Sequence, residues 1–166
     1  RHREVLQSVS DCYSMMTELQ EMQQKRVEDA ETVCRLISSP LGYNEVTGVS
    51  PDSFRLFRKN ESYVSVERLS VIPLESILAG GKSIRKWFAD GESLWGAALL
   101  SVSRIRKNPC LDVVPKASPS HPSHAGIEMF LDSGRLYKSR AGEPTPHEIL
   151  FLQLYLSSIV DQVKEK

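Results

Sequence analysis

The sequence predicts an α+β fold, in which a small mixed or antiparallel sheet of four or five strands packs against helices. Two observations at the ends of the chain predict the helices. Residues 1–39 contain neither glycine nor proline, and residues 145–165 are apolar around most of a helical circumference. Between them, short runs of β-forming residues separated by turn residues predict the strands. A chain of 166 residues, 40% of them hydrophobic, can form one such domain without disulfides or metals.

The first predicted element is a long helix over residues 1–39. Its apolar side chains recur at steps of three and four residues, as in a coiled coil: Val5, Val9, Cys12, Met16 and Leu19, then Val27, Ala30, Cys34 and Ile37. A straight helix of this length would extend about 58 Å, at roughly 1.5 Å per residue, which exceeds the width of a compact domain. Either the helix bends at residues 23–26, where the stripe is interrupted, or its first half projects and binds a partner.

Residues 40–166 are predicted to form the α+β domain. Pro40 and Gly42 end the first helix, because a residue before proline avoids the helical conformation and glycine permits the exit. The predicted elements that follow are a strand at 62–71, a short helix at 73–78, and strands at 94–105, 111–114, 125–131 and 135–139. The run at 94–105 is the expected central strand, although its length also permits a helix. The last two strands are expected to form a hairpin.

The final predicted element is a helix over residues 145–165. Thr145 and Glu148 have the spacing of a capping box, and Pro146 suits the first helical position. Apolar side chains cover more than one stripe of this helix: Ile149, Leu150, Phe151, Leu152, Leu154, Tyr155, Leu156, Ile159, Val160 and Val163. We expect a helix of this kind to lie between two layers or against another subunit.

The charge balance argues against a dedicated nucleic-acid-binding protein. Lysine and arginine together number 21, as do aspartate and glutamate, so no overall field attracts polyanions. A local excess does exist at residues 104–140, which carry seven basic and three acidic side chains. Cys12, Cys34 and Cys110 are odd in number and form no C-x-x-C pair, as expected for reduced thiols in a cytoplasmic protein.

One loop carries the most suggestive group of polar side chains. His121 and His124 lie three residues apart, close in sequence to the basic residues Arg104 and Arg106. One imidazole would act as general base and the other as general acid, while an arginine would hold a phosphate group. The alternative is a structural loop, in which His124 hydrogen-bonds a neighbouring backbone group. No zinc site is predicted, because no third ligand has a diagnostic spacing.

Two short motifs resemble those of small uncharacterised bacterial domains. Residues 65–68, with the sequence SVER, form an SV-x-R strand, and residues 122–127, with the sequence PSHAGI, match P-x-H-A-x-I. The resemblance covers residues 50–130 and leaves out both terminal helices. Ser65, Glu67 and Arg68 are polar residues on the predicted strand, and one that faced inward would line a pocket. The resemblance implies a bacterial, cytoplasmic setting and brings no established activity.

The sequence favours a non-enzymatic protein–protein interaction module of a larger bacterial protein or complex. Because the chain begins with Arg1, we expect it to be part of a longer polypeptide. Another protein or a second copy is expected to bind the first helix through Val5, Val9, Met16, Leu19 and Met22, with the C-terminal helix as a second surface. The alternative is a hydrolase or toxin directed at nucleic acid or nucleotides, with His124, His121, Arg104 and Arg106 as its cluster. No cofactor, metal or membrane contact is predicted.

Overall fold

The computed structural model describes Thr17, Glu21 and residues 25–39, 42–56, 58–79 and 93–166. The strands within these residues are β1 (Thr32–Ser39), β2 (Tyr43–Asn44), β3 (Gly48–Val49), β4 (Tyr63–Arg68), β5 (Ser93–Ser101), β6 (Leu111–Pro115), β7 (His124–Met129) and β8 (Gln162–Glu165). The helices are a 3-10 helix (Pro51–Phe54), α1 (Leu74–Ala79), α2 (Val102–Ile105) and α3 (His147–Ser158).

Six of these strands form one antiparallel sheet. Their order is β6-β7-β4-β1-β5-β8, and every neighbouring pair is antiparallel. The pair β2 and β3 forms a separate two-stranded ribbon. The prediction of an α+β fold is therefore confirmed, and the sheet is antiparallel throughout. It is larger than the four or five strands that were expected.

The two faces of the sheet are covered differently. Antiparallel pairing places directly opposed residues on the same face. The inner face carries the main core, in which Val33 and Ile127 pack with Ile149 and Leu156 of α3 and with Phe54 of the 3-10 helix. On the outer face, a smaller apolar cluster joins β1 and β5 to α1: Cys34, Ala97 and Ile77, flanked by Leu36, Leu69, Ile72, Leu74, Leu78 and Leu99.

The prediction of one helix over residues 1–39 is wrong, because Thr32–Ser39 is strand β1. Both faces of β1 are covered, so its apolar residues do not show the simple alternation of a half-exposed strand. Cys34 and Ile37, which the helical stripe placed together, lie in different clusters on opposite faces. Among residues 1–24 the structure describes only Thr17 and Glu21, both helical. The predicted partner-binding residues Val5, Val9, Met16, Leu19 and Met22 lie outside the described residues.

The position of Glu31 explains part of that error. Glu31 and Arg35 have the i,i+4 spacing of an ion pair on a helix, but the Glu31 carboxylate binds Arg68 of β4 instead, with Arg68 Nη2 2.7 Å from Glu31 Oε1. Burial by itself raises the pKa of the Glu31 carboxyl, while hydrogen bonds from Arg68 and Ser70 lower it to about 2. Arg35 is directed elsewhere, and its Nε and Nη1 donate to the carbonyls of Ser53 and Ser65.

The C-terminal helix predicted over residues 145–165 is shorter than expected. Helix α3 ends at Ser158, and Gln162–Glu165 forms the edge strand β8, which pairs with β5. The predicted capping box is absent, since the Glu148 carboxylate accepts from the backbone N–H of Asp132 rather than from its own helix terminus. The apolar side chain of Val163 fits either a helical or a strand pattern, and pairing with β5 decides between them.

The middle of the chain follows the predictions more closely. Strands β4, β6 and β7 and helix α1 lie where they were expected. The apolar run at 94–105 divides into the predicted strand, β5, and the four residues of α2. The expected return strand at 135–139 is reduced to a single bridge between Phe130 and Leu136.

Candidate functional site

Polar side chains collect on the outer face of the sheet, over β4 and β7. We call this group the polar strip: Tyr63, Ser65 and Glu67 from β4, His124 and Glu128 from β7, and Lys116, His121 and Ser123 from the preceding loop. The register places Glu67 opposite His124, Ser65 opposite Gly126, and Tyr63 opposite Glu128. These side chains therefore share one face, while the alternate residues Val64 and Val66 enter the core.

The two histidines of the loop are brought together. Their rings stack with centroids 4.7 Å apart and an interplanar angle of 8°. The turn that holds His121 is closed by backbone hydrogen bonds in both directions with Ser118. The sequence prediction that His121 and His124 form a pair is thus matched by their placement.

Glu67 holds the first histidine and the loop that carries it. Its Oε1 lies 2.6 Å from His121 Nε2, and its Oε2 accepts from the Ser123 hydroxyl at 2.5 Å. The backbone of the loop is tied to β4 as well, because the N–H of Arg68 donates to the Ser123 carbonyl. Glu67 is only 9% exposed, so these partners compensate for the loss of water around a buried carboxylate.

The second histidine faces a hydroxyl. His124 Nε2 lies 3.2 Å from Ser65 Oγ, across the β4–β7 ladder. Burial lowers the pKa of His124 below its ordinary value, and the neighbouring His121 lowers it further. Glu67 and a hydrogen bond with the backbone of Lys116 act in the opposite direction without reversing the shift. His124 is consequently neutral near pH 7, the form in which an imidazole accepts a proton.

Tyr63 and Lys116 extend the strip beyond the histidines. The Tyr63 ring meets the edge of His124, with centroids 5.7 Å apart. Lys116 Nζ lies 4.8 Å from the centroid of the Tyr63 ring and 3.0 Å from Glu128 Oε1. Gly126 makes room for this ring, because a Cβ atom there would lie 2.6 Å from Tyr63 Cδ2. The strip therefore combines two imidazoles, two serine hydroxyls, a tyrosine, a lysine and two carboxylates.

Cys34 of β1 lies directly opposite Glu67 of β4, where the polar strip meets the apolar cluster. Burial raises the pKa of its thiol to about 12, and the charge of Glu67 adds to that shift. The thiol therefore stays protonated at neutral pH and is a poor nucleophile or metal ligand.

The two arginines of the predicted cluster are committed elsewhere. Arg104 binds Asp161, which immediately precedes β8, and three strands separate β8 from β7. Arg106 binds Asp29 at 2.5 Å and Asp112 at 2.7 Å, and its Nη2 donates to the carbonyl of Val113. Asp112 lies opposite Glu128, near the last residue of β7, whereas His124 is the first residue of that strand. The cluster of His121, His124, Arg104 and Arg106 thus separates into a histidine pair and two ion-paired arginines.

Sequence reasoning found only part of this site. Ser65 and Glu67 stood out as polar residues of a strand, but the face they occupy was not determined. Lys116 and Ser123 were missed as members of the site, because each lies in a loop and meets partners through tertiary contacts. The strand alternation around Val64 and Val66 was the available signal, since it separates Ser65 and Glu67 from the core.

Two other kinds of site were sought within the described residues. No group of three or more His, Cys, Asp and Glu side chains is placed there to hold a metal ion. The helices of that same part of the chain include none long and apolar enough to cross a membrane. In comparisons with known proteins, no protein-family model, curated protein or solved structure matches the chain.

Proposed function

We propose that the protein is a hydrolase of ester bonds, in which the polar strip performs general acid–base catalysis. The observation that carries this proposal is the stacked histidine pair, whose members have different polar partners. His124, kept neutral beside a hydroxyl, is suited to accept a proton. His121 is held through Nε2 by Glu67, so its Nδ1 is the nitrogen that would give a proton to a leaving group.

The test is hydrolysis by the purified chain of a panel that includes RNA, nucleotides and p-nitrophenyl esters of phosphate and of carboxylic acids. We expect His124→Ala to lower kcat/KM by about 100-fold or more, the usual contribution of a positioned general base. His147→Ala is the matched control, because His147 is an exposed histidine on α3. Activity that survives in both His121→Ala and His124→Ala would contradict the proposal.

A second candidate function is the protein–protein interaction module that the sequence favours. One observation supports it: Leu150, Phe151 and Leu154 of α3 are 41%, 69% and 51% exposed. Glu148 is the single Asp, Glu, Lys or Arg residue of α3. Two copies could therefore pack these helix faces together without bringing like charges into contact, so the proposed partner is a second copy of this chain.

Light scattering across a tenfold concentration range tests this second candidate. A dimer that Phe151→Glu converts to a monomer is the expected result, because the substitution puts a charge into the apolar patch. Val46→Glu serves as control, since Val46 is an isolated apolar side chain that is 92% exposed. A wild-type chain that remains monomeric throughout the range would exclude self-association through α3.

A further inference from the structure

We infer that Ser65 is a covalent nucleophile and that the substrate class of the polar strip is the uncharged carboxylic ester. This inference rests on the proposed hydrolase function and adds to it the attacking atom and the kind of bond. It is carried by the placement of Ser65 Oγ 3.2 Å from His124 Nε2, on one face of two paired strands. A serine hydroxyl becomes a useful nucleophile when a base within hydrogen-bonding reach can take its proton.

The base in such a pair must itself be oriented by a third group. β7 holds His124 at the start of its ladder with β4, and the ring of His121 stacks on it with centroids 4.7 Å apart. The proposed reaction uses the tautomer of His124 whose ring proton is on Nδ1. Nε2 is then left to accept the hydroxyl proton of Ser65.

The backbone of Ser65 is also held in place by a hydrogen bond from Arg35. Its carbonyl accepts from Arg35 Nη1 at 2.9 Å, and the same guanidinium donates to the Ser53 carbonyl through Nε at 2.7 Å. Arg35 therefore joins β4 to the 3-10 helix at the position of the proposed nucleophile. We assign Arg35 as a positioning residue, since it contacts the backbone of Ser65 and lies on the inner side of the sheet.

The charges of the strip favour an uncharged substrate over a phosphodiester. The two carboxylates of the strip are already engaged, Glu67 by His121 and Glu128 by Lys116, and His124 is neutral, so the strip presents no unpaired cation. An anionic phosphodiester would meet these carboxylates without the arginines that the sequence had suggested, because Arg104 and Arg106 bind other acids. A carboxylic ester is uncharged when it binds, so it meets these carboxylates without repulsion between like charges and needs no unpaired cation.

The proposed reaction proceeds in two balanced steps. In the first, Ser65 Oγ forms a bond to the ester carbonyl carbon, its proton passes to His124, and the alcohol leaves with a proton from His121. In the second, water attacks the acyl group and gives a proton to His121. The bond from Ser65 Oγ to the acyl carbon then breaks, and Ser65 regains its proton from His124. The sum is ester plus water giving acid plus alcohol, with no other reactant.

The test is labelling of the full chain with diisopropyl fluorophosphate, followed by intact mass and peptide mapping. We expect one equivalent of label on Ser65, none on the same peptide in Ser65→Ala, and labelling slowed about 100-fold in His124→Ala. Ser62→Ala is the matched control, because Ser62 lies three residues earlier outside the strip. Circular dichroism of Ser65→Ala should match the wild-type spectrum and so checks that the variant is folded.

The outcomes separate this inference from the function on which it rests. If ester hydrolysis depends on His121 and His124 but the chain takes up no label, the hydrolase proposal stands. The assignment of Ser65 as nucleophile is then overturned. Label that persists in Ser65→Ala would overturn it too. Cleavage of RNA or nucleotides without cleavage of p-nitrophenyl acetate would overturn the substrate class. A chain that cleaves no ester at all and takes no label contradicts both proposals.

Discussion

Two halves of the outer sheet face have the same backbone geometry and opposite chemistry. Over β1 and β5, the side chains of Cys34 and Ala97 are fully buried and pack against Ile77 of α1. Over β4 and β7, Ser65, Glu67 and His124 form hydrogen bonds instead. Both halves use antiparallel pairing, and they meet where Cys34 lies opposite Glu67. The antiparallel sheet therefore does not require a polar outer face. The polar strip exists because polar amino acids occupy the outward positions of β4 and β7.

The two halves also stabilise the protein in different ways. The apolar half contributes through burial of surface, on the order of 25 cal/mol for each Å² removed from water. A hydrogen bond in the polar half contributes only about 1 kcal/mol net, because the same groups bind water in the unfolded chain. Every buried polar side-chain atom of the described residues nonetheless has a partner. We therefore expect substitutions in the apolar half to affect stability, and those in the polar half to affect activity.

The largest effect is expected for Ala97→Asp. Ala97 is fully buried and packs in the apolar cluster with Ile77, so the new carboxylate would lose its water and crowd its apolar neighbours, and the exposed Lys164 lies opposite it on β8. We expect the free energy of unfolding to fall by at least about 3 kcal/mol in urea denaturation. Val46→Asp, at a position 92% exposed, should change it by less than about 0.5 kcal/mol. Equal effects at both positions would remove the distinction between the halves.

A smaller loss of stability is expected for Gly126→Ala, within the polar half. The added Cβ would lie 2.6 Å from Cδ2 of Tyr63, so the tyrosine must move away from its contacts with His124 and Lys116. We expect a loss of about 1–3 kcal/mol, as in other cases of overpacking. The double variant, with Gly126→Ala and Tyr63→Ala together, should lose less stability than the sum of the losses in the two single variants. Strict additivity would show that the two residues do not compete for space.

Ser65→Ala should separate stability from activity. It removes one hydroxyl from a half-buried position, and we expect the free energy of unfolding to change by less than about 1 kcal/mol. Hydrolysis of p-nitrophenyl acetate should fall by about 100-fold or more, because the attacking oxygen is lost. Denaturation and kinetics on the same preparation check both expectations. A large loss of stability with activity retained would reverse the assignment of Ser65.

The smallest expected effect is a shift in the titration of His124. Its pKa is lowered in the folded state, so its neutral form contributes stability above the ordinary histidine pKa, about 6.5. That contribution is lost as the pH falls through the lower, folded-state pKa. NMR titration should show a His124 midpoint below the ordinary histidine pKa. His121→Ala should raise this midpoint, while Glu67→Gln should lower it further, since the two neighbours act in opposite directions.

Local patterns were sufficient for the middle of the chain. Strands β4 and β7 alternate apolar and polar residues because one face enters the core, and this alternation can be recognised without the structure. The short spacing between His121 and His124 likewise suggested that they lie together. Strand β1 could not be found in this way, because both its faces are covered and its apolar residues also fit a helical stripe.

The sequence by itself determined the α+β class, the position of β4, β6, β7 and α1, and the presence of a histidine pair. Each of these depends on residues close together in the chain. Only the tertiary structure decided that residues 32–39 and 162–165 are strands, that Glu67 meets His121, and that Ser65 meets His124. These contacts join residues 54 and 59 positions apart. They depend on which strands pair and in what register, and that is settled by the burial of the whole sheet rather than by any local pattern.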